Sequence, residues 1–208
     1  MLISMAKMTP ENRDLKAAAI VAAARKTFLS QGYDAASMDQ IALNAGVSKR
    51  TVYNRFRSKE ELFAAAIEDS CRQILPVDID TVEASMTPEE FVNEMAHAFM
   101  HGILDPEALA LRRIASFEAG RNPALGRVYL AHGPAYMAAT FAPMLARIAK
   151  RSKLSIDDEE IAIYRLGALI SEPLYTEALL GVIPDNLERA IDQQIENGLA
   201  AFWRIYGK

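Results

Sequence analysis

Apolar residues recur along this chain at spacings of three and four, and no run alternates apolar with polar residues in the Val-, Ile- and Thr-rich manner of a strand. The pattern predicts an all-α fold. Glycines and prolines punctuate it at Gly32, Gly46, Pro76, Pro88, Pro106, Pro123, Pro134, Pro184 and Gly207, which gives about nine helices. Their spans read as 11–31, 38–45, 48–56, 59–75, 88–103, 106–119, 123–150 with a break near Gly133 and Pro134, 157–180, and 185–206. Periodicity lapses from Pro76 to Thr87, which marks a junction; Thr87-Pro88 then restarts a helix as cap and first residue.

The helix ends between Phe28 and Phe63 can be read residue by residue. Ser37-Met38-Asp39-Gln40 has the form of a capping box, so the second helix starts at Met38. Met38, Ile41, Ala42 and Ala45 make one apolar face, and Gly46 supplies the left-handed conformation that stops the helix. Ser48 caps a third helix, in which Val52 and Phe56 face inward one turn apart. Ser58-Lys59-Glu60-Glu61 is a second capping box that opens the fourth. The result is three short helices joined by tight turns.

Charge separates this region from the rest. The formal net charge is -4, yet residues 1–72 hold 11 Lys and Arg against 8 Asp and Glu, while the remaining residues hold 12 against 19. Asn44 to Lys59 contains Lys49, Arg50, Arg55, Arg57 and Lys59 and no acid. Lys49 and Arg50 occupy the first turn of the third helix, where the helix dipole disfavours cations. A helix entering the major groove by its N-terminal end would present them to guanine edges or phosphates, and Tyr53 and Asn54 project one turn later, the tyrosine able to reach a phosphate. An ordinary helical corner with a basic surface has the same spacing and charge.

Composition narrows the alternatives. At 208 residues and 51% hydrophobic the chain can bury a core. No stretch approaches the roughly 18 apolar residues of a membrane span and Met1 to Pro10 lacks a secretory apolar region, so a cytoplasmic protein is expected. Cys71 is the single cysteine and reads as a small helix residue. There is no nucleophile-elbow glycine pattern, phosphate loop, HExxH or Cys-His pair, so neither enzyme activity nor a cofactor is expected. His97 and His101 have a metal-compatible i, i+4 spacing, but only Glu94 or Asp105 could serve as a third ligand, and no metal site is expected.

The segments Phe28-Leu29-Ser30-Gln31-Gly32-Tyr33, Ser37-Met38, Ile41-Ala42, Ala45-Gly46-Val47-Ser48, Thr51-Val52-Tyr53, Phe56 and Ser58-Lys59-Glu60-Glu61-Leu62-Phe63 closely resemble the signature of the TetR family of transcriptional regulators. Leu111 to Pro134, with Glu118-Ala119-Gly120-Arg121-Asn122-Pro123-Ala124-Leu125, is similar to the C-terminal region of AcrR- and AefR-like members. The resemblance implies a dimeric helical regulator, with a helix-turn-helix DNA-binding domain at 1–58 and a ligand-binding and dimerisation domain at 59–208. It marks Lys49, Arg50, Thr51, Tyr53, Asn54 and Arg55 as facing double-stranded DNA, with Ser37 and Lys59 as phosphate contacts. A ligand-responsive repressor on a palindromic operator is the function it implies. A helical small-molecule carrier with degenerate DNA binding and an architectural DNA-binding protein stay open beside it.

In the body, residues 157–180 are apolar nearly all round, and Leu187, Ile191, Ile195, Leu199, Phe202 and Tyr206 form a stripe on the last helix. Paired with symmetry mates, two such helices make a four-helix interface; within a monomer they make an interior pair. The family resemblance implies the homodimer, with Leu169, Ile191, Ile195, Leu199 and Phe202 at its interface. Met95, Phe99, Met100, Phe117, Tyr136, Met137, Phe141 and Tyr164 give the middle helices a lining that reads as solid core or as an adaptable pocket for an apolar effector.

Overall fold

The computed structural model describes residues 10–74 and 86–207, with side chains from Leu15 onward. Most of the expected junction from Pro76 to Thr87 and the first nine residues lie outside the described residues. The chain divides into two compact units, Met1–Asp69 and Ser70–Lys208. Among the described residues there is no strand, only one isolated bridge between Leu154 and Gly207. No described helix is long and apolar enough to cross a membrane.

The first unit is built from α1 (Pro10–Ala35), α2 (Met38–Asn44), α3 (Lys49–Tyr53) and α4 (Lys59–Arg72), the last of which continues past Asp69. Helical geometry in α1 breaks at Gly32, whose φ of 79° is open to glycine at no steric cost. Phe28, Tyr33 and Phe63 close the core as an aromatic triangle with ring centroids 5.2 to 5.7 Å apart, surrounded by Ile20, Ile41, Val52 and Leu62. Thr27 ties α1 to α2: its hydroxyl donates to the Ala23 carbonyl at 2.7 Å and accepts from the Asn44 amide at 3.0 Å.

The expected caps are present, with one difference in detail. The Gln40 backbone N–H donates to Ser37 Oγ at 3.1 Å, and the Glu61 N–H to Ser58 Oγ at 3.2 Å. Neither reciprocal half of a capping box forms. Gln40 instead donates along its own helix to Asn44 Oδ1 at 2.9 Å, and Glu61 accepts from the Arg57 N–H at 2.6 Å. The complete box is Thr87 with Glu90, each accepting from the other's backbone N–H, with Pro88 as the first helical residue.

The second unit comprises α5 (Pro88–Leu104), α6 (Pro106–Ala119), α7 (Pro123–His132), α8 (Pro134–Arg151), α9 (Glu159–Ser171), α10 (Leu174–Leu179) and α11 (Leu187–Tyr206). The span expected from 123 to 150 is divided at Gly133 as anticipated, but 157–180 is not one helix. Helix α9 ends at Ser171, where Glu172 turns extended and Pro173 brings no N–H with which to continue the ladder.

The most extensive packing joins α9 and α11. Ile191, Ile195, Gly198, Leu199, Phe202 and Tyr206 form the buried stripe of α11. The approach is close enough that a Cβ on Gly198 would lie 2.5 Å from the Leu169 carbonyl oxygen and 2.8 Å from Ile170 Cα. Gln194 secures the same contact by donating to the carbonyls of Leu169 at 3.0 Å and Glu172 at 2.6 Å. Both obstacles to a side chain at 198 are backbone, so rotamer change cannot relieve them. Gly198→Ala is expected to cost about 3 kcal/mol in urea denaturation, as overpacking of a tight seam does. Ala200→Gly, on the exposed side of α11, should cost only the helix propensity of about 1 kcal/mol.

Candidate nucleic-acid interface

The helix expected to read DNA is a single five-residue piece held by one buried side chain. Val52 is fully buried, whereas Lys49, Arg50, Tyr53 and Asn54 are exposed and Thr51 and Arg55 are half-buried. Gly46, at φ 64°, turns the chain between α2 and α3 in a conformation that a Cβ would strain. Ser48 then caps α3: its Oγ accepts from the Thr51 N–H at 3.1 Å and lies 2.8 Å from Thr51 Oγ1. The turn is fixed by local bonds, so the side chains of α3 are presented from a rigid frame.

Two of the eight expected contacts have roles that the sequence did not disclose. The Lys59 ammonium donates to the carbonyls of Tyr33 at 2.8 Å, Asp34 at 3.1 Å and Ala36 at 3.0 Å, and sits 4.4 Å from the Tyr33 ring centroid. An ammonium has three N–H donors, and all three are engaged at the end of α1. Lys59 therefore clamps α1 to α4. Lys49 pairs with Asp39, an exposed acid in the first turn of α2. Sequence reading treats Asp39 as part of a helix start; its contact across the turn with Lys49 is visible only in three dimensions. Ser37 is exposed with its oxygen already accepting from Gln40. Beside the clamp, Glu60 is held below the usual carboxylate range by its own backbone N–H and by Ser58.

The residues expected to line a pocket differ in burial. Met95, Met100, Met137 and Phe141 are buried, and Phe99 and Tyr136 are half-buried. Phe117 is 63% exposed beneath the Arg121 guanidinium, and Tyr164 is 46% exposed. An open cleft of about 430 Å³ lies among Ala139, Ala142, Pro143, Ala146 and Asp158 to Glu160. A polar group inside the body also escaped the sequence reading. Arg112 stacks 4.9 Å from the Tyr129 ring centroid, and the Tyr129 and Tyr175 hydroxyls neighbour one another. Burial pushes the hydroxyls of both tyrosines above their ordinary range, so both stay protonated.

Of the residues expected at a dimer interface, Ile191, Ile195, Leu199 and Phe202 are buried within the chain itself and Leu169 is half-buried. They form the seam between α9 and α11, not a face open to a second copy. The large apolar residues that these two helices leave exposed are Ile161, Tyr164 and Ile205. His97 lies 3.9 Å from Asp192 and His101 lies 3.6 Å from Glu188, so the histidines of α5 face acids of α11. Among the described residues no group of three His, Cys, Asp or Glu is placed to hold a metal.

Comparison with known proteins agrees with both units. Residues 20–66 match the family described as bacterial regulatory proteins, tetR family, and residues 90–208 match the AefR-like transcriptional repressor, C-terminal domain. The chain is similar to the solved structure of the flavonoid-responsive regulator FrrA, at 34% identity over 93% of this chain and 98% of that one, with a TM-score of 0.71. A TetR-family regulator from Mesorhizobium loti superposes with a TM-score of 0.76 at 27% identity, covering 97% and 100% of the two chains. The transcriptional activator FasR of Mycolicibacterium smegmatis is 45% identical over 56 residues, a match that spans only 27% of this chain and 26% of FasR.

The clamp role of Lys59 separates stability from DNA affinity. Lys59→Met is expected to lower stability by about 2 kcal/mol, because charged donors are withdrawn from three carbonyls. With its N–H groups spent on carbonyls, Lys59 is expected to leave the slope of DNA affinity against salt as in the parent protein when it is replaced. Thermal unfolding and salt titrations on one duplex measure the two effects.

Proposed function

The chain belongs to the TetR family of DNA-binding transcriptional regulators, and on that premise we propose that it is a ligand-responsive repressor that holds a palindromic operator as a homodimer. The observation that carries the reading is α3: one buried anchor, Val52, with two cations in the first turn and Tyr53 and Asn54 exposed beyond them. A symmetric dimer would set two such helices about 34 Å apart on successive turns of one groove. Chromosomal DNA as target implies a cytoplasmic protein. Repression is favoured over activation by the AefR-like repressor match across the larger unit.

The partner-facing surface in this reading is the outward side of α9 and α11, where Ile161, Tyr164 and Ile205 are exposed over the buried seam. Solvated apolar side chains on adjoining helices offer a second copy area to bury. The effector in this reading is an aromatic molecule with hydroxyl groups. Buried Met95, Met100, Met137 and Phe141 supply an apolar, adaptable interior, and Tyr129, Tyr175 and Arg112 supply hydrogen-bond partners on neighbouring helices. FrrA is named for its response to flavonoids, which makes flavonoids the first compounds to test here.

Arg50→Ala should relax base preference in sites selected from random DNA, since a guanidinium can read guanine bidentately. Tyr164→Glu should give monomers by sedimentation velocity and weaken operator binding, while leaving the unfolding midpoint close to that of the parent. A wild-type monomer at micromolar concentration would remove the dimer. A bound flavonoid should weaken operator binding by about 5- to 150-fold, and the operator must weaken flavonoid binding by the same factor. Tyr129→Phe should reduce flavonoid affinity in calorimetry without changing operator affinity in its absence. Flavonoids that bind and leave operator affinity unchanged would remove the sensor role.

A further inference from the structure

We propose that Asp39 is a specificity-determining residue, which together with Lys49 reads one G·C base pair. The inference rests on α3 being the DNA-reading helix. Asp39 lies in the first turn of α2 and Lys49 is the first residue of α3, and the Lys49 ammonium bonds the Asp39 carboxylate across the turn. Both side chains stay open to solvent, at 49% for Asp39 and 66% for Lys49.

Two simpler roles account for part of this. An acid in the first turn of α2 favours the helix dipole, and its charge offsets a lysine badly placed at the start of α3. Neither requires the pair to stand on the face that meets DNA, and an exposed pair adds little to stability. On that face a carboxylate has a cost, because every phosphate repels it. The cost is offset if the carboxylate finds a donor on the duplex, and in the major groove the donors are the cytosine N4 and adenine N6 amino groups.

The geometry selects between them. Lys49 directs one N–H at Asp39, which leaves two donors beside an acceptor-only carboxylate. Guanine presents two adjacent acceptors, O6 and N7, and its cytosine partner presents N4–H₂ next to them. The pair of side chains is thus the complement of a G·C edge: ammonium on O6 and N7, carboxylate on N4. An A·T edge places its donor between two acceptors, so the carboxylate would face an acceptor on one side. Asp39 also confines Lys49. An ammonium neutralised in place is withheld from phosphates, which lowers affinity for unrelated sequence.

Sites selected from random DNA by the wild-type protein, Asp39→Ala, Asp39→Asn, Lys49→Ala and Arg50→Ala test this, with affinity for a scrambled duplex measured against salt. The wild type is expected to require a G·C pair at one position of each half-site. Discrimination there should fall by about tenfold in both Asp39→Ala and Lys49→Ala, at the same position. Asp39→Asn should shift that position toward adenine, which an amide reads through N6 and N7. Asp39→Ala should bind the scrambled duplex several-fold more tightly, with a salt slope steeper by about one phosphate, because Lys49 is released. Base preferences unchanged at every position in Asp39→Ala overturn the inference, and a lowered unfolding midpoint as the sole change assigns Asp39 to helix stability and overturns it equally. If Arg50→Ala and Lys49→Ala also leave binding intact, the reading of α3 as the interface has failed. If Arg50→Ala matters and Asp39→Ala does not, only the present inference has failed.

Discussion

The last carbonyls of a helix have no partner within it, and this fold depends on how three of its helix ends find donors. Lys59 supplies the end of α1, Gln194 the end of α9, and Arg113 the end of α10, where it donates to Leu179 and Ala178 at 2.7 Å each. Each donor stands on a different helix from the carbonyls it serves, so satisfying a helix end and fixing a helix pair are one event. A charged or amide donor on a carbonyl is directional, unlike the apolar seam it accompanies. Apolar burial brings α9 and α11 together; Gln194 and the missing side chain at Gly198 set their register.

That arrangement explains what could be read in advance. N-terminal caps are local: Ser37, Ser48, Thr87, Asp105, Asn122, Asp158 and Asn186 each accept from an N–H two or three residues ahead. A residue type at a fixed offset is visible in sequence, and the helix starts after Ser37, Ser48 and Thr87 follow from it. The C-terminal donors come from 22 to 66 residues away. No spacing rule identifies them, so Lys59 looked like one more cation in a basic block.

Periodicity has a similar limit. It states that the face carrying Ile191, Ile195, Leu199 and Phe202 is buried, and it is silent on what buries it. A chain in which α9 and α11 first pack on each other leaves only the residues at their margins for a partner. The apolar surplus of 157–180 was therefore legible as a surplus, while its division between seam and surface was not. The pocket residues show the same ambiguity: Phe117 and Tyr164 share the chemistry of Phe141, yet only Phe141 is turned inward.

The basic block carries less free charge than its composition suggests. Of its five cations, Lys59 is bound to carbonyls and Lys49 to Asp39, leaving Arg50, Arg55 and Arg57 as those without a side-chain partner among the described residues. Sequence-independent attraction scales with the phosphates a protein neutralises, so pairing Lys49 with an acid weakens that attraction for all DNA alike, whereas Lys59 keeps its charge among neutral carbonyls. What remains is weighted toward arginine, whose planar fork discriminates between bases where an ammonium acts more as a point charge. A regulator must find few sites among many, and the ratio of specific to non-specific affinity decides whether it does. Lowering the non-specific term raises that ratio without any added base contact. The Lys59 clamp thus serves the fold, and the pairing of Lys49 with Asp39 serves selectivity.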